Sequence, residues 1–181
     1  MKRIILSVTV ALIALGSIGV VVASGAATSE RTAWFANLEL QITAVTPVGF
    51  TQDGLLADVS FQGSAGGPNI AGGTVVGVDH AVFDPSGNAH LNAYLTITDK
   101  DGDQLSANIT GLATSVNPGQ YVLQGTSGTI INKPDPSSGT FHPTTGKYAQ
   151  MVGRTFTDVG LITEFSLNPP GGSIHVKWYL N

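Results

Sequence analysis

The chain contains no cysteine among its 181 residues. That excludes disulfide staples, thiol nucleophiles and every metal site built on thiolate ligands. Stability has to come from packing and sheet hydrogen bonds. Charge is scarce too: 11% of residues are charged and the formal balance is −4. Lys2 and Arg3 are two of the eight basic residues, so beyond residue 3 acidic residues outnumber basic ones two to one. No basic cluster follows, which removes nucleic acid and anionic membrane surfaces from the candidate partners. Uninterrupted helical stretches are missing as well, because 23 glycines and 9 prolines punctuate the chain. The only room for a helix in the body of the chain is a turn or two around Ser29 to Asn37.

One long apolar run is present, and it lies at the N-terminus. Lys2 and Arg3 precede an apolar segment from Ile4 to Ala23, which ends in the small residues Val22-Ala23-Ser24-Gly25-Ala26-Ala27. This is the pattern of a signal peptide helix, with the mature chain expected to begin between Gly25 and Thr28. The expected division is a signal peptide over 1–25, an N-terminal extension over 26–37 and a β-barrel domain over 38–181. The expected location is secreted or periplasmic. The alternative is an uncleaved membrane anchor, since a run of about 20 apolar residues can span a bilayer.

Between the Gly and Pro positions lie short segments with a period of two. Leu38, Leu40 and Ile42 alternate with Glu39, Gln41 and Thr43. Leu55 to Phe61 and Gly72 to Val78 are further strand candidates. Leu91, Ala93, Leu95 and Ile97 share one face, with Asn92, Tyr94, Thr96 and Thr98 on the other. The turn Asp99-Lys100-Asp101-Gly102-Asp103 joins this strand to the alternating run Leu105 to Thr110, and an Asp-Gly pair in that position marks a hairpin. Gln120–124, Gly128–132, Gly153–157, Leu161–167 and Ser173–180 complete a set of eight or nine strands. Without helices to cover them, their apolar faces require a sandwich or a barrel closed on itself. The Pro-rich stretch from Lys133 to Pro143 reads as a loop, and Trp34, Phe35, Trp178 and Tyr179 as packing for the barrel ends.

No catalytic or metal motif stands out. The Asp99–Asp103 run opens like a calcium loop, but Gln104 stands where that loop needs Gly and Thr110 where it needs a bidentate Glu. His80, His90, His142 and His175 lack zinc-motif spacing, and no Gly-x-Ser-x-Gly elbow occurs. No metal and no cofactor is expected.

Several short motifs occur in a characteristic order. They are Gly66-Gly67-Pro68-Asn69-Ile70-Ala71-Gly72-Gly73, Gly77-Val78-Asp79-His80, Asp84-Pro85-Ser86-Gly87-Asn88-Ala89, Leu91-Asn92-Ala93-Tyr94, Asp101-Gly102, Ser138-Gly139-Thr140-Phe141 and Thr145-Gly146-Lys147-Tyr148-Ala149. In order and spacing the chain resembles the bacterial and fungal proteins grouped as domain of unknown function 3237, over roughly residues 38 to 181. The resemblance implies a closed antiparallel barrel of about eight strands, of the calycin or allene oxide cyclase-like kind, with a central cavity. It implies no established activity. At the family's distinctive polar and aromatic positions only Asp79 and Tyr148 match. His80 and Gln150 replace tryptophans, and Asn92 and Tyr94 replace an Asp–Arg pair, so a reaction needing that pair is not carried over.

Three functions follow from these expectations. The first is a binding module holding a small, largely apolar ligand, with Asp79, His80, Asn92, Tyr94, Tyr148 and Gln150 as candidate polar contacts. If Leu91, Ala93, Leu95 and Ile97 are the inward residues, half of this set falls. The second is a cofactor-independent isomerase or cyclase, with Asp79 and His80 as acid and base. Neighbours on a strand point to opposite faces, which weighs against that pair. The third is a structural or surface interaction protein with a filled barrel. An open lumen with converging polar groups separates the first two from the third.

Overall fold

The computed structural model describes residues 33–70, 72–132 and 142–181. The expected signal segment and most of the Pro-rich loop lie outside the described residues. Eight antiparallel strands close into one barrel in chain order, each paired with its sequence neighbour and the last with the first. They are β1 (Ala33–Phe50), β2 (Leu55–Gly66), β3 (Gly73–Phe83), β4 (Ala89–Asp99), β5 (Gln104–Asn117), β6 (Gln120–Ile131), β7 (Thr155–Leu167) and β8 (Pro170–Leu180). A 3-10 helix over Gly146–Met151 sits between β6 and β7. The expected closed barrel is the observed fold.

The strand boundaries differ from expectation in three places. Ala33–Asn37, read as a helical turn ahead of the barrel, is the beginning of β1, because Phe35, Ala36 and Leu38 bury against the core and the segment pairs with β8. The candidates Gln120–124 and Gly128–132 are one strand, as are Gly153–157 and Leu161–167 from Thr155 onward. In β6 the ladder with β7 shifts between Leu123 and Thr126, and in the β7–β8 ladder it shifts between Thr163 and Ser166. These bulges break the period of two without ending the strand. In β6 the break falls between the two candidates and reads as a boundary; in β7 the pairing with β8 runs unbroken through 158–160, and Gly160 alone interrupts the side-chain pattern.

Alternation decides what faces the lumen. Leu40 and Ile42 of β1, Val59 and Phe61 of β2, Leu91, Ala93 and Leu95 of β4 and Val176 of β8 line the interior. The outer face of each strand carries most of the polar residues. Connections alternate between the two ends. The short turns at 51–54, 84–88, 118–119 and 168–169 form one end, called here the turn end. The β4–β5 turn at 100–103, the 3-10 helix and the outer ends of β1 and β8 form the other, the capped end.

The capped end is packed solid. Phe35, Ile70, Ile97, Leu105, Ile130, Phe156 and Trp178 are fully or almost fully buried. The Phe156 and Trp178 rings stack at 4.2 Å between centroids. Gly128 makes room for that stack: a Cβ there would stand 2.0 Å from Phe156 Cζ. Of the aromatic residues expected to fill the barrel ends, Phe35 and Trp178 do so, whereas Trp34 is half exposed and Tyr179 lies on the outer wall. A bulge between Trp34 and Ala36 turns Phe35 inward and leaves Trp34 outside.

Asp99 holds the cap in place. Its Oδ1 accepts the N–H groups of Asp101 (2.9 Å) and Asp103 (3.0 Å), which shapes the β4–β5 turn. Its Oδ2 accepts the Tyr148 hydroxyl at 3.0 Å and an ion pair from Lys147. The Lys147 contact, aided by these N–H and O–H donors, holds Asp99 down at about 2 against the opposing effect of burial. The acidic run is thus a turn braced to the 3-10 helix.

Candidate functional site

The turn-end half of the lumen is not filled. A cavity of about 70 Å³ remains there, walled by aliphatic side chains from the strands around the ring. Phe83, Tyr121 and Phe165, all half-buried, stand toward the turn end of this cavity. Phe83 stacks on Phe165 with centroids 5.4 Å apart, and Tyr121 meets Phe165 edge-on at 5.6 Å. The bulge in β7 puts Phe165 there. Inward residues of that strand are Phe156, Asp158 and Ile162, and Glu164 at φ 56 reverses the parity so that Phe165 also points inward.

Two carboxyl groups enter this apolar space, Asp79 from β3 and Asp158 from β7. These strands are four apart in a ring of eight, so the carboxyls come from opposite walls. Asp79 is 8% exposed and Asp158 3%. Burial raises Asp79 to about 7, against the N–H of Asn92, which donates to Oδ1 at 2.8 Å. That contact falls where the β3–β4 ladder opens, between the pairs Asp79–Ala93 and Val82–His90. Burial likewise raises Asp158 to about 7, against the Thr126 hydroxyl and the nearby Trp178 indole. Thr126 Oγ1 donates chiefly to the Asp158 main-chain carbonyl (2.7 Å) and lies 3.4 Å from Oδ2. Asp158 Oδ1 and Trp178 Nε1 are buried without a hydrogen bond. An isolated buried carboxyl at this pKa can hold or release a proton near neutrality, and its neutral form is the cheaper one in such surroundings.

The structure divides the six residues named from sequence. Asp79 alone lines the cavity. His80, on the same strand, points outward, where its Nδ1 lies 2.7 Å from Asp58 Oδ1 and its ring meets Tyr94 edge-on at 6.2 Å. Asn92 is exposed on the outer wall and reaches Asp79 only through its main-chain N–H. Tyr94 is half-buried on that outer wall. The physical reason is the pleat: Leu91, Ala93, Leu95 and Ile97 are the inward set of β4, which turns Asn92 and Tyr94 out. Tyr148 and Gln150 come together at the capped end, around a surface hollow that also includes Lys147 and Arg154. They do not meet Asp79. An acid–base pair of Asp79 and His80 acting on one molecule is ruled out by the same pleat.

Asp158 and Tyr121 escaped the sequence reading. The signal for Asp158 was a carboxylate in register with Phe156, Gly160 and Ile162. It was lost because the segment 158–160 was left between two candidate strands. The Asp84–Ala89 motif proves to be a turn device: Asp84 accepts the N–H groups of Ser86 (2.8 Å) and Asn88 (2.9 Å) and the Asn88 amide (3.1 Å).

Solved structures share this architecture. A protein with unknown function from Clostridium acetobutylicum superposes with a TM-score of 0.61 at 16% identity, covering 82% of this chain and 97% of its own. A β-barrel-like protein from Acinetobacter baumannii gives a TM-score of 0.58 at 16% identity, covering 82% and 94%. A conserved protein of unknown function from Rhodopseudomonas palustris gives 0.54 at 16%, covering 82% and 96%. At this identity the likeness concerns the fold. Among curated proteins nothing matches. The sequence profile described as "Protein of unknown function (DUF3237)" matches residues 31–160, which span β1 to β6 and the first half of β7, so the chain belongs to that family.

Proposed function

We propose that the barrel binds one small, mostly apolar molecule in the turn-end half of its lumen. The observation that supports this is the cavity itself, where Asp158 Oδ1 is unpaired and Asp79 is held by a single N–H among aliphatic side chains. A barrel kept only as a scaffold would gain by filling that space. At about 24 cal/mol per Å³, a 70 Å³ void costs on the order of 2 kcal/mol. Burying a carboxyl with few partners adds to that cost. Two such penalties in one place favour a site over a filled structural barrel. The volume suits a ligand of a few heavy atoms, and a larger one requires the Phe83, Tyr121 and Phe165 rings to move.

A cofactor-independent isomerase or cyclase is the second reading. It draws support from the same carboxyls, since acids near pKa 7 suit proton transfer at neutral pH. Export belongs to the proposal as well and rests on the Lys2-Arg3 pair and the Ile4–Ala23 run.

The test is a titration with 1-butanol and 2-butanone, read from the methyl NMR signals of Ala81, Ala93, Ile109 and Leu123. Saturable shifts confined to these cavity methyls are expected, and Ala93→Leu should abolish them. No saturable shift with either probe would overturn the reading.

A further inference from the structure

We infer that the lumen selects small apolar amines: molecules with a hydrocarbon body and one protonated nitrogen that docks on Asp158, with the Asp79 carboxyl on the opposite wall of the same cavity. This rests on the lumen being a binding site and adds the chemical class of what it takes.

Three observations converge on a cationic donor. First, every ionisable group on the cavity wall is an acid: Asp79, Asp158 and the phenol of Tyr121. Among the described residues no Lys, Arg or His side chain lines it. Second, Asp158 Oδ1 is a buried acceptor with no hydrogen bond, in a side chain 3% exposed. An orphaned carboxyl oxygen is completed by a donor, and most strongly by a charged one. A carboxylate ligand or a ketone would meet it with another acceptor. Third, the approach to the cavity has the matching sign. Asp53 and Asp84 lie at the turn end, with Glu164 in β7 and Asp58 in β2 close to it. The four Lys and Arg residues among the described ones, Lys100, Lys147, Arg154 and Lys177, lie toward the capped end. Among the described residues two histidines stand near the mouth, each beside a carboxylate: His90 is 3.7 Å from Asp84 and His80 2.7 Å from Asp58. Such a field draws in cations and repels anions.

The apolar wall sets the rest of the ligand. The nitrogen needs a counter-charge, and a hydrocarbon body replaces the water that the aliphatic lining would otherwise touch. An ammonium group with no apolar body gains nothing from Leu40, Val59, Leu95 or Ile109. A hydrocarbon with no nitrogen leaves Asp158 Oδ1 bare.

Binding is linked to protons. Asp79 accepts the Asn92 N–H from β4 and feels, through the wall, the opposed charges of the outward pair His80 and Asp58. Asp158 faces Thr126 from β6 and Trp178 from β8. An alkylamine stays protonated up to about pH 10, like a lysine side chain. The amine therefore binds best where the carboxyls are ionised and weakens as they take up protons in acid.

The experiment compares n-butylamine, 1-butanol and butyrate, three probes of one chain length, on the full mature protein by methyl NMR or calorimetry at about pH 8.5 and 5.5. At the higher pH the amine should bind at least about tenfold more tightly than the alcohol, with butyrate weakest. At the lower pH that preference should vanish. Asp158→Asn should remove the preference and keep alcohol binding, with Asp79→Asn as a second variant. Equal binding of amine and alcohol, or tighter butyrate, overturns the inference while the cavity stands as a site. Failure of all three probes overturns both.

Discussion

The main-chain N–H of Asn92 donates to Asp79 Oδ1 at 2.8 Å, so a buried carboxyl on β3 closes a hydrogen bond where the β3–β4 ladder is open. The contact ties the one polar group in this wall of the lumen to the continuity of the sheet. It also leaves Asp79 with one neutral donor, too little to offset burial.

Stability should therefore fall as pH rises through the acid range. Asp79 and Asp158 stand at about 7 in the folded chain, against an ordinary value of 3.8. The unfolded chain releases these protons first, so each group draws stability away between about pH 4 and pH 7. At ~1.4 kcal/mol per unit the loss is on the order of 4 kcal/mol per group. Asp99, held at about 2, works the other way: its contribution is present above about pH 4 and is lost as pH falls toward 2. Two raised groups outweigh one lowered group, so the maximum is expected just below about pH 4. Asp79→Asn keeps an oxygen for the Asn92 N–H and cannot ionise. Urea unfolding should find it equal to the wild type near pH 3 and more stable by a few kcal/mol near pH 8. An unchanged pH profile in the variant would refute the assignment.

Tyr148→Phe should loosen the capped end. The hydroxyl donates to Asp99 Oδ2 at 3.0 Å, and the phenol is pushed up to about 12, first by burial and then by that carboxylate. Asp99 keeps Lys147 as a partner, so the cost should lie near the low end for a hydrogen bond to a charged group, about 1.5 kcal/mol. Amide exchange across Gly146–Met151 should accelerate, while the cavity methyls at the turn end keep their shifts. A spread of the change into those methyls would contradict the separation of the two ends.

Glycine substitutions should divide by the space available. At Gly128 a Cβ would overlap Phe156, so Gly128→Ala is expected to cost about 1–3 kcal/mol. At Gly49 nothing lies within 4 Å, and Gly49→Ala should change stability by less than about 0.5 kcal/mol. Thermal melts of the two variants side by side decide the matter. Equal effects would mean that the Phe156–Trp178 stack tolerates displacement.

Much of the architecture was legible in the chain itself. The alternation in β4, β5 and β8, the Asp101-Gly102 hairpin and the shortage of helical stretches require an all-β domain, because a strand with one apolar face must bury it. The absence of cysteine excluded thiol chemistry before any coordinate was known. The family motifs pointed to a closed barrel. Most of the motif residues with visible partners work as structural devices: Asp84 shapes a turn, and Asp99 with Lys147 and Tyr148 holds the cap.

Tertiary structure alone decided which face of each strand is the inside. A period of two is symmetric, so Asn92 and Leu91 are equally good interior residues until the barrel closes. Closure turned His80, Asn92 and Tyr94 outward and kept Asp79 in. Pairing decided the rest: the unbroken β7–β8 ladder from Phe156 to Thr163 joined two candidate strands and set the register of Asp158, and the bulge beyond Thr163 swung Phe165 over the lumen. Bulges arise from pairing with the neighbouring strand. That Asp79 and Asp158 line one cavity from opposite walls comes only from the ring, which sets β3 opposite β7 across 79 residues of chain.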